Sequence, residues 1–125
     1  MSKLHVLIVN DIPDYGATLK VVLEDTGAFI VTAVVNGNEA FQVAAKHKVD
    51  LVISDLKRPD EDVEDFIKTF KMAHPLTPLV IASPLVQELE PRMRQLGVAA
   101  LFSVTAVMDL DMFPQELLRI IRRSQ

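Results

Sequence analysis

The sequence predicts a doubly wound α/β domain, in which a parallel sheet is covered by helices on both faces. Two observations predict this class: short apolar runs recur along the chain, and each is followed by a segment with apolar residues at helical spacing. Such alternation with short connections implies right-handed crossovers and a parallel sheet. The chain has 125 residues, the size of one domain, so we expect residues 1–125 to form a single core.

Five apolar runs rich in β-branched residues have the length of buried strands. The predicted strands are Leu4–Val9, Phe29–Val35, Asp50–Asp55, Leu79–Ala82 and a weaker Ala99–Val104. Between and after them, apolar residues recur three or four positions apart, and proline, glycine and asparagine mark the boundaries. These helical stripes lie in Pro13–Thr26, Ala40–Ala45, Val63–Phe70 and Phe113–Ile121.

The segment between the fourth and fifth strands is harder to interpret. Pro91 lies in the middle of residues 84–97, and a proline inside a helix costs about 3 kcal/mol or more. We therefore expect a short helix that begins near Pro91 and places Met93 and Leu96 against the core. Residues 84–90 would then form an irregular lead-in.

Composition narrows the function classes. Thirteen basic and seventeen acidic residues give a formal net charge of −4. This balance does not indicate a basic surface that would bind nucleic acid or anionic lipid. The basic cluster Arg119, Arg122 and Arg123 is explained by the dipole of a terminal helix. The absence of cysteine excludes disulfides and thiolate metal sites and is compatible with a reducing cytoplasm. The first apolar run is too short for a membrane span, and we expect a cytoplasmic protein.

Polar residues follow the predicted strands at the carboxyl edge of the sheet, where ligands bind in folds of this class. Asn10 and Asp11 follow the first strand, Asp55 ends the third, and Ser83 follows the fourth. A carboxylate can accept a phosphoryl group when a magnesium ion screens the incoming oxygens, and magnesium takes one or two protein carboxylates. Asp11 and Asp55, with a nearby backbone carbonyl, would be an adequate set.

Each of these residues also has a structural explanation. Asp11 could cap the helix that opens near Pro13, and Ser83 could be a turn hydroxyl. Asp55 is harder to explain in this way, because an aspartate at the end of a buried strand needs water, metal or donors. Lys57 and Arg58 could place a cation beside Asp55, although loop lysines and arginines are usually solvated.

From Lys3 to Arg123 the chain resembles the receiver domains of two-component response regulators. The motifs that carry this resemblance are Val9-Asn10-Asp11-Ile12-Pro13-Asp14, Asn36-Gly37-Asn38-Glu39-Ala40, Asp50-Leu51-Val52-Ile53-Ser54-Asp55-Leu56 with Pro59, and Pro78-Leu79-Val80-Ile81-Ala82-Ser83. The resemblance implies a flavodoxin-like sheet with strand order 2-1-3-4-5.

The resemblance also implies roles for individual residues. Asp55 would be the phosphoacceptor, and Asp11, Asp55 and the Lys57 carbonyl would hold Mg²⁺. Asn10 would contribute weakly, through water. Ser83 would be the switch hydroxyl. The implied partner is a histidine kinase or phosphotransfer protein, with homodimerisation possible and no enzymatic activity expected.

The chain departs from the family pattern mainly after the fifth strand. Val104-Thr105 aligns with the usual lysine and proline, and no basic residue occurs from Leu96 to Leu118. Asn10 also replaces a usual acidic residue, and Pro84 replaces a small one. Loss of the lysine removes a charge-assisted contact to the phosphoryl group. We therefore expect phosphorylation at Asp55 to shift the conformational equilibrium less than in an ordinary receiver.

Two hypotheses follow. The chain is either a phosphorylation-regulated receiver, or a pseudo-receiver whose partner binds irrespective of phosphate through the helices that follow the fourth and fifth strands. A flavodoxin-like cofactor binder is disfavoured because no glycine-rich or hydroxyl-rich phosphate loop follows the first strand.

Overall fold

Five parallel strands form one sheet in the order β2-β1-β3-β4-β5. The structure is a computed structural model and describes residues 3–84 and 86–125. The strands are β1 Leu4–Val9, β2 Phe29–Val34, β3 Leu51–Ser54, β4 Leu79–Ala82 and β5 Ala100–Phe102. The helices are α1 Pro13–Asp25, α2 Gly37–Lys46, α3 Val63–Ala73, α4 Val86–Gln95, α5 Val104–Val107 and α6 Met112–Arg123. The doubly wound class and the flavodoxin-like order 2-1-3-4-5 are therefore confirmed.

The core has two layers, one on each face of the sheet. Residues of β1 alternate between them: Val6 and Ile8 pack in the layer of Leu19, Leu117 and other residues of α1 and α6. Leu7 and Val9 face the opposite layer, where the apolar side chains of α2, α3 and α4 are buried. The central strands are thus covered on both sides, which explains why they are continuous apolar runs in the sequence.

Helix α4 differs from the expectation. It begins at Val86, not near Pro91, and Pro91 lies inside it. Two contacts hold this helix against the rest of the domain. Met93 is fully buried in the core, and Arg92 donates to Glu64 of α3 at 2.8 Å. Tertiary packing of one helix face therefore outweighs the local propensity of proline.

The end of the sheet also differs from the expectation. β5 was predicted to run to Val104, but it ends at Phe102. Ser103 then caps a short helix, because its Oγ accepts a hydrogen bond from Ala106 N at 3.1 Å. Serine is a favoured N-cap residue, and this cap turns the chain out of the strand direction.

In the parts of the chain that the structure describes, no helix has the combination of length and apolar character that crossing a bilayer requires.

Candidate functional site

The register of the sheet brings the polar ends of β1 and β3 together. Val9 is paired with Ser54, so the residues that follow each strand leave the sheet side by side. Asp55 N donates to Val9 O at 3.2 Å, and Asp11 N donates to Asp55 Oδ2 at 3.3 Å. The two aspartates predicted to share a site are therefore neighbours at the carboxyl edge.

Asp55 is a buried acid with an unusual affinity for its proton. Its side chain is 11 % exposed, and burial raises the pKa of Asp55 to about 6. The neighbouring guanidinium of Arg58 acts in the opposite direction and lowers this pKa, whereas a side-chain contact with Asp11 raises it. Because desolvation outweighs the attraction of Arg58, the charged form of Asp55 would be stabilised by a further cation.

The helix-capping explanation of Asp11 is wrong. The N-cap of α1 is Ile12, and no side chain makes a cap hydrogen bond there. The side chain in this loop that does hold the backbone is Asn10, whose Oδ1 accepts from Ile12 N at 2.9 Å. This bond closes a turn and occupies the Asn10 oxygen, while Asp11 stands beside Asp55.

A tight turn after β3 brings a guanidinium back to Asp55. Arg58 and Glu61 form an antiparallel bridge, and Asp60 between them has a φ of 57°. Aspartate tolerates this left-handed conformation, and Pro59 suits the preceding turn position. The turn therefore reverses the chain within four residues and folds the Arg58 side chain inward.

Arg58 is almost completely buried, with 1 % of its side chain exposed. Its Nη1 donates to Asp55 Oδ1 at 2.5 Å and to Ser54 Oγ at 2.9 Å. Its Nε pairs with Glu61, and the guanidinium carbon lies 4.8 Å from the ring centroid of Phe66. Of the two residues that the sequence offered as a cation beside Asp55, Arg58 takes this position and is not solvated, whereas Lys57 is exposed.

Glu61 links this cation to helix α2. Its Oε1 accepts from Gly37 N at 2.7 Å, while its Oε2 pairs with Arg58. A Cβ at Gly37 would lie 2.7 Å from Phe66 Cδ1, so the absence of a side chain at residue 37 permits this approach. A continuous chain of ion pairs and hydrogen bonds thus runs from Asp55 through Arg58 and Glu61 to the first turn of α2.

The remaining sequence-predicted residues lie around this pair. Ser83 is buried directly after β4, and its N donates to Phe102 O at 3.0 Å. Val104, at the position where the resemblance leads one to expect lysine, lies in the first turn of α5 and is 46 % exposed. Burial, and secondarily the negative charge of Asp55, raises the pKa of Tyr15 in α1.

The donor set fits magnesium better than a metal that prefers protein-only coordination. Within residues 3–84 and 86–125, no group of three His, Cys, Asp or Glu side chains could hold a metal ion. Two adjacent carboxylates, those of Asp11 and Asp55, match the one or two that Mg²⁺ takes when it keeps several waters. The Lys57 carbonyl and a water-mediated role of Asn10 remain predictions.

The sequence indicated Arg58 as a cation near Asp55, but not the contacts through which Glu61 and Gly37 hold it. An arginine three residues before a glutamate is common on solvated loops. The signal that distinguishes this case is the combination of Pro59 and Asp60 between the charges, which favours a turn. Its direction relative to Asp55 depends on packing against Phe66, which no local pattern encodes.

Comparisons with known proteins agree with the fold. A model of the response regulator receiver domain matches residues 6–105. A protein-glutamate methylesterase/protein-glutamine glutaminase of Archaeoglobus fulgidus is 30 % identical over 97 % of this chain, which spans 36 % of that protein's length. The non-phosphorylated HemR receiver domain of Leptospira biflexa has a TM-score of 0.80 at 27 % identity, covering 95 % of this chain and 94 % of that one.

A sensor protein of Polaromonas sp. JS666 has the same fold, with a TM-score of 0.88 at 23 % identity over 99 % of this chain and all of the other. The family model covers most of the sheet, including the ends of β1, β3 and β4. The chain belongs to the response regulator receiver domain family.

Proposed function

We propose that this domain accepts a phosphoryl group on Asp55, with Mg²⁺, and transmits the signal by altered protein contacts. The observation that carries the proposal is the position of Asp11 beside Asp55, with Asp11 N 3.3 Å from Asp55 Oδ2. Two acidic side chains at the carboxyl edge of a parallel sheet repel each other, and Arg58 contacts only Oδ1 of Asp55. Carboxylates are also the ligands that magnesium prefers.

The chemistry proposed for Asp55 is a nucleophilic displacement at phosphorus. An oxygen of Asp55 attacks the phosphorus of an acyl phosphate, the bond to the bridging oxygen breaks, and the carboxylate product leaves with the electron pair. The same attack on a phosphohistidine breaks the phosphorus–nitrogen bond and returns the imidazole. Bound Mg²⁺ would screen the repulsion between the carboxylates and the phosphoryl oxygens.

The proposal also includes the protein that donates the phosphoryl group. Family membership supports a histidine kinase or a phosphotransfer protein as the partner, a cytoplasmic location, and a role as a signalling module instead of an enzyme. Ser83, buried at the end of the neighbouring strand β4, is proposed as the switch hydroxyl.

The experiment is phosphorylation of the chain with acetyl phosphate and Mg²⁺, followed by intact mass and peptide mass spectrometry. We expect one adduct on Asp55, which a chelator or the Asp55→Asn variant abolishes. Asp50→Asn is a matched control, because Asp50 is an aspartate at the opposite end of β3. Absence of an Asp55 adduct, under conditions that modify an ordinary receiver, would exclude the proposal.

A pseudo-receiver is the second candidate, and the surface around α5 favours it. Val104 at the usual lysine position is half exposed, and Met108, Leu110 and Met112 are exposed as well. An apolar surface of this kind suits a partner that binds irrespective of phosphate. Amide shifts during a titration with beryllofluoride and Mg²⁺ separate the candidates, because a pseudo-receiver would show no saturable change at Asp55.

A further inference from the structure

The guanidinium beside Asp55 has a spare hydrogen-bond donor. Nη1 and Nε of Arg58 are engaged by Asp55, Ser54 and Glu61. Among the residues that the structure describes, Arg58 Nη2 is the one buried side-chain nitrogen or oxygen without a hydrogen-bond partner. Buried donors in native proteins almost always have an acceptor, so an orphaned one next to a candidate phosphoacceptor needs an explanation.

An anion attached to Asp55 would supply that acceptor. A phosphoryl group brings up to two negative charges and three strong acceptor oxygens. Guanidinium is suited to such a group, since its planar fork can donate two parallel hydrogen bonds to phosphate oxygens. Nη1 already reaches Asp55 Oδ1 at 2.5 Å, and Nη2 shares the same central carbon. A phosphoryl oxygen on Asp55 would therefore lie close to this guanidinium.

The cation that the family pattern expects elsewhere is missing from this chain. Val104 replaces it, and no basic residue lies between Leu96 and Leu118. On the basis of the proposed function, we propose that Arg58 is the phosphoryl-contacting cation of this receiver. It would donate to a phosphoryl group on Asp55 through Nη2 and through the Nη1 hydrogen that now reaches Asp55 Oδ1. A cation supplied from the loop after β3 thus takes the place of one supplied from the end of β5.

Glu61 is a positioning residue in this arrangement. It pairs with Arg58 Nε and accepts from Gly37 N at 2.7 Å, which fixes the guanidinium against the ring of Phe66. An alternative role for Arg58 would be inhibition, in which its ion pair with Asp55 blocks the phosphoryl donor. The contact reaches only Oδ1, while Oδ2 faces Asp11 N, so one oxygen of the nucleophile is left without the guanidinium.

The test is a beryllofluoride titration in the presence of Mg²⁺, followed by amide chemical shifts of the full chain. Beryllofluoride occupies the phosphoryl position on an aspartate and reports contacts to that group without turnover. We expect Arg58→Met to weaken the apparent affinity by about 10-fold or more, equivalent to about 1.4 kcal/mol. Arg94→Met is the matched control and should leave the affinity unchanged, because Arg94 is exposed and pairs with Glu90 on α4.

The outcomes separate this inference from the proposed function. Wild-type affinity, or tighter binding, in folded Arg58→Met would overturn the role of Arg58 and leave the phosphoacceptor intact. If Arg58→Met does not fold, Arg58→Lys decides, because lysine keeps the charge but cannot donate two parallel hydrogen bonds. Weaker beryllofluoride binding would support donation by both guanidinium nitrogens, and unchanged binding would overturn it. No saturable shift in the wild-type chain would overturn the phosphoacceptor proposal, and the inference with it.

Discussion

Arg58 donates a hydrogen bond to Asp55 Oδ1 at 2.5 Å, although only two residues separate them in the chain. The contact exists because the turn at Pro59 and Asp60 reverses the backbone and directs the guanidinium toward the sheet edge. A buried ion pair of this kind is weak evidence for stability, since desolvation offsets much of the attraction. Its consequence is that the local charge of the site depends on the geometry of one loop.

Glu61→Gln tests how strongly the buried cation depends on its second carboxylate. Glutamine keeps an oxygen for Gly37 N but removes the charge that faces Arg58 Nε. We expect the free energy of unfolding to fall by about 1–3 kcal/mol, because a buried guanidinium loses a charged partner. Urea unfolding measures the change.

The control for this prediction is Glu90→Gln. Glu90 also pairs with an arginine, but both side chains of that pair are largely exposed, and exposed pairs contribute about 0–1 kcal/mol. Equal effects of the two substitutions would contradict the view that the Arg58–Glu61 pair contributes more to the free energy of unfolding.

Gly37→Ala tests the close approach of α2 to the loop after β3. An added Cβ would lie 2.7 Å from Phe66 Cδ1 and 2.9 Å from Glu61 Oε1. Overpacking of a buried contact costs about 1–3 kcal/mol, and the better helix propensity of alanine returns at most about 1 kcal/mol. We expect a net loss of about 1–2 kcal/mol in the free energy of unfolding.

Asn38→Ala is the matched control, since Asn38 is the exposed neighbour in the same helical turn. Its effect should stay within about 0.5 kcal/mol. A stabilised Gly37→Ala variant would contradict this prediction and show that the loop after β3 accommodates the added Cβ without loss.

The sheet could be predicted from the sequence because its central strands are buried on both faces. β1, β3 and β4 are apolar at every position up to their polar ends, apart from His5 and Ser54. The adjacency of Asp11 and Asp55 followed from the same logic, since carboxyl ends of neighbouring parallel strands meet. Both predictions depend on periodicity and topology, which the sequence records directly.

The direction of the Arg58 side chain and the start of α5 could not be predicted in the same way. Whether Arg58 turns inward depends on the loop conformation at Asp60 and on the ring of Phe66, eight residues further along the chain. The short helix that begins at Val104 depends on a cap by Ser103, which also suits a strand end. These features arise from competition between local conformations that tertiary packing decides.

Pro91→Ala tests why the prediction for α4 failed. Pro91 is inside the helix, where alanine would restore a backbone donor and remove a steric conflict worth about 3 kcal/mol in exposed helices. The greater freedom of the unfolded alanine chain opposes this by about 1 kcal/mol. We therefore expect the free energy of unfolding to rise by about 1–2 kcal/mol in urea.

Pro114→Ala provides the comparison. Pro114 is the third residue of α6, where the backbone N–H has no intrahelical partner, so alanine should give no gain. A Pro91→Ala variant that is no more stable than wild type would indicate that α4 is already adapted to its proline.

The last prediction concerns pH and Asp55. Its pKa is raised from 3.8 to about 6 in the folded chain, so the folded state binds this proton more tightly than the unfolded state does. That preference contributes stability which is fully present below the unfolded pKa, near 4, and is lost as pH rises through the folded pKa. Asp55→Asn cannot titrate and lacks this dependence. Between pH 4 and pH 7 the wild-type chain should therefore lose up to about 2 kcal/mol relative to Asp55→Asn, measured by urea unfolding with a chelator present. A stability difference that stays constant across this range would show that the pKa of Asp55 is near its ordinary value, and that the attraction of the Arg58 guanidinium balances burial.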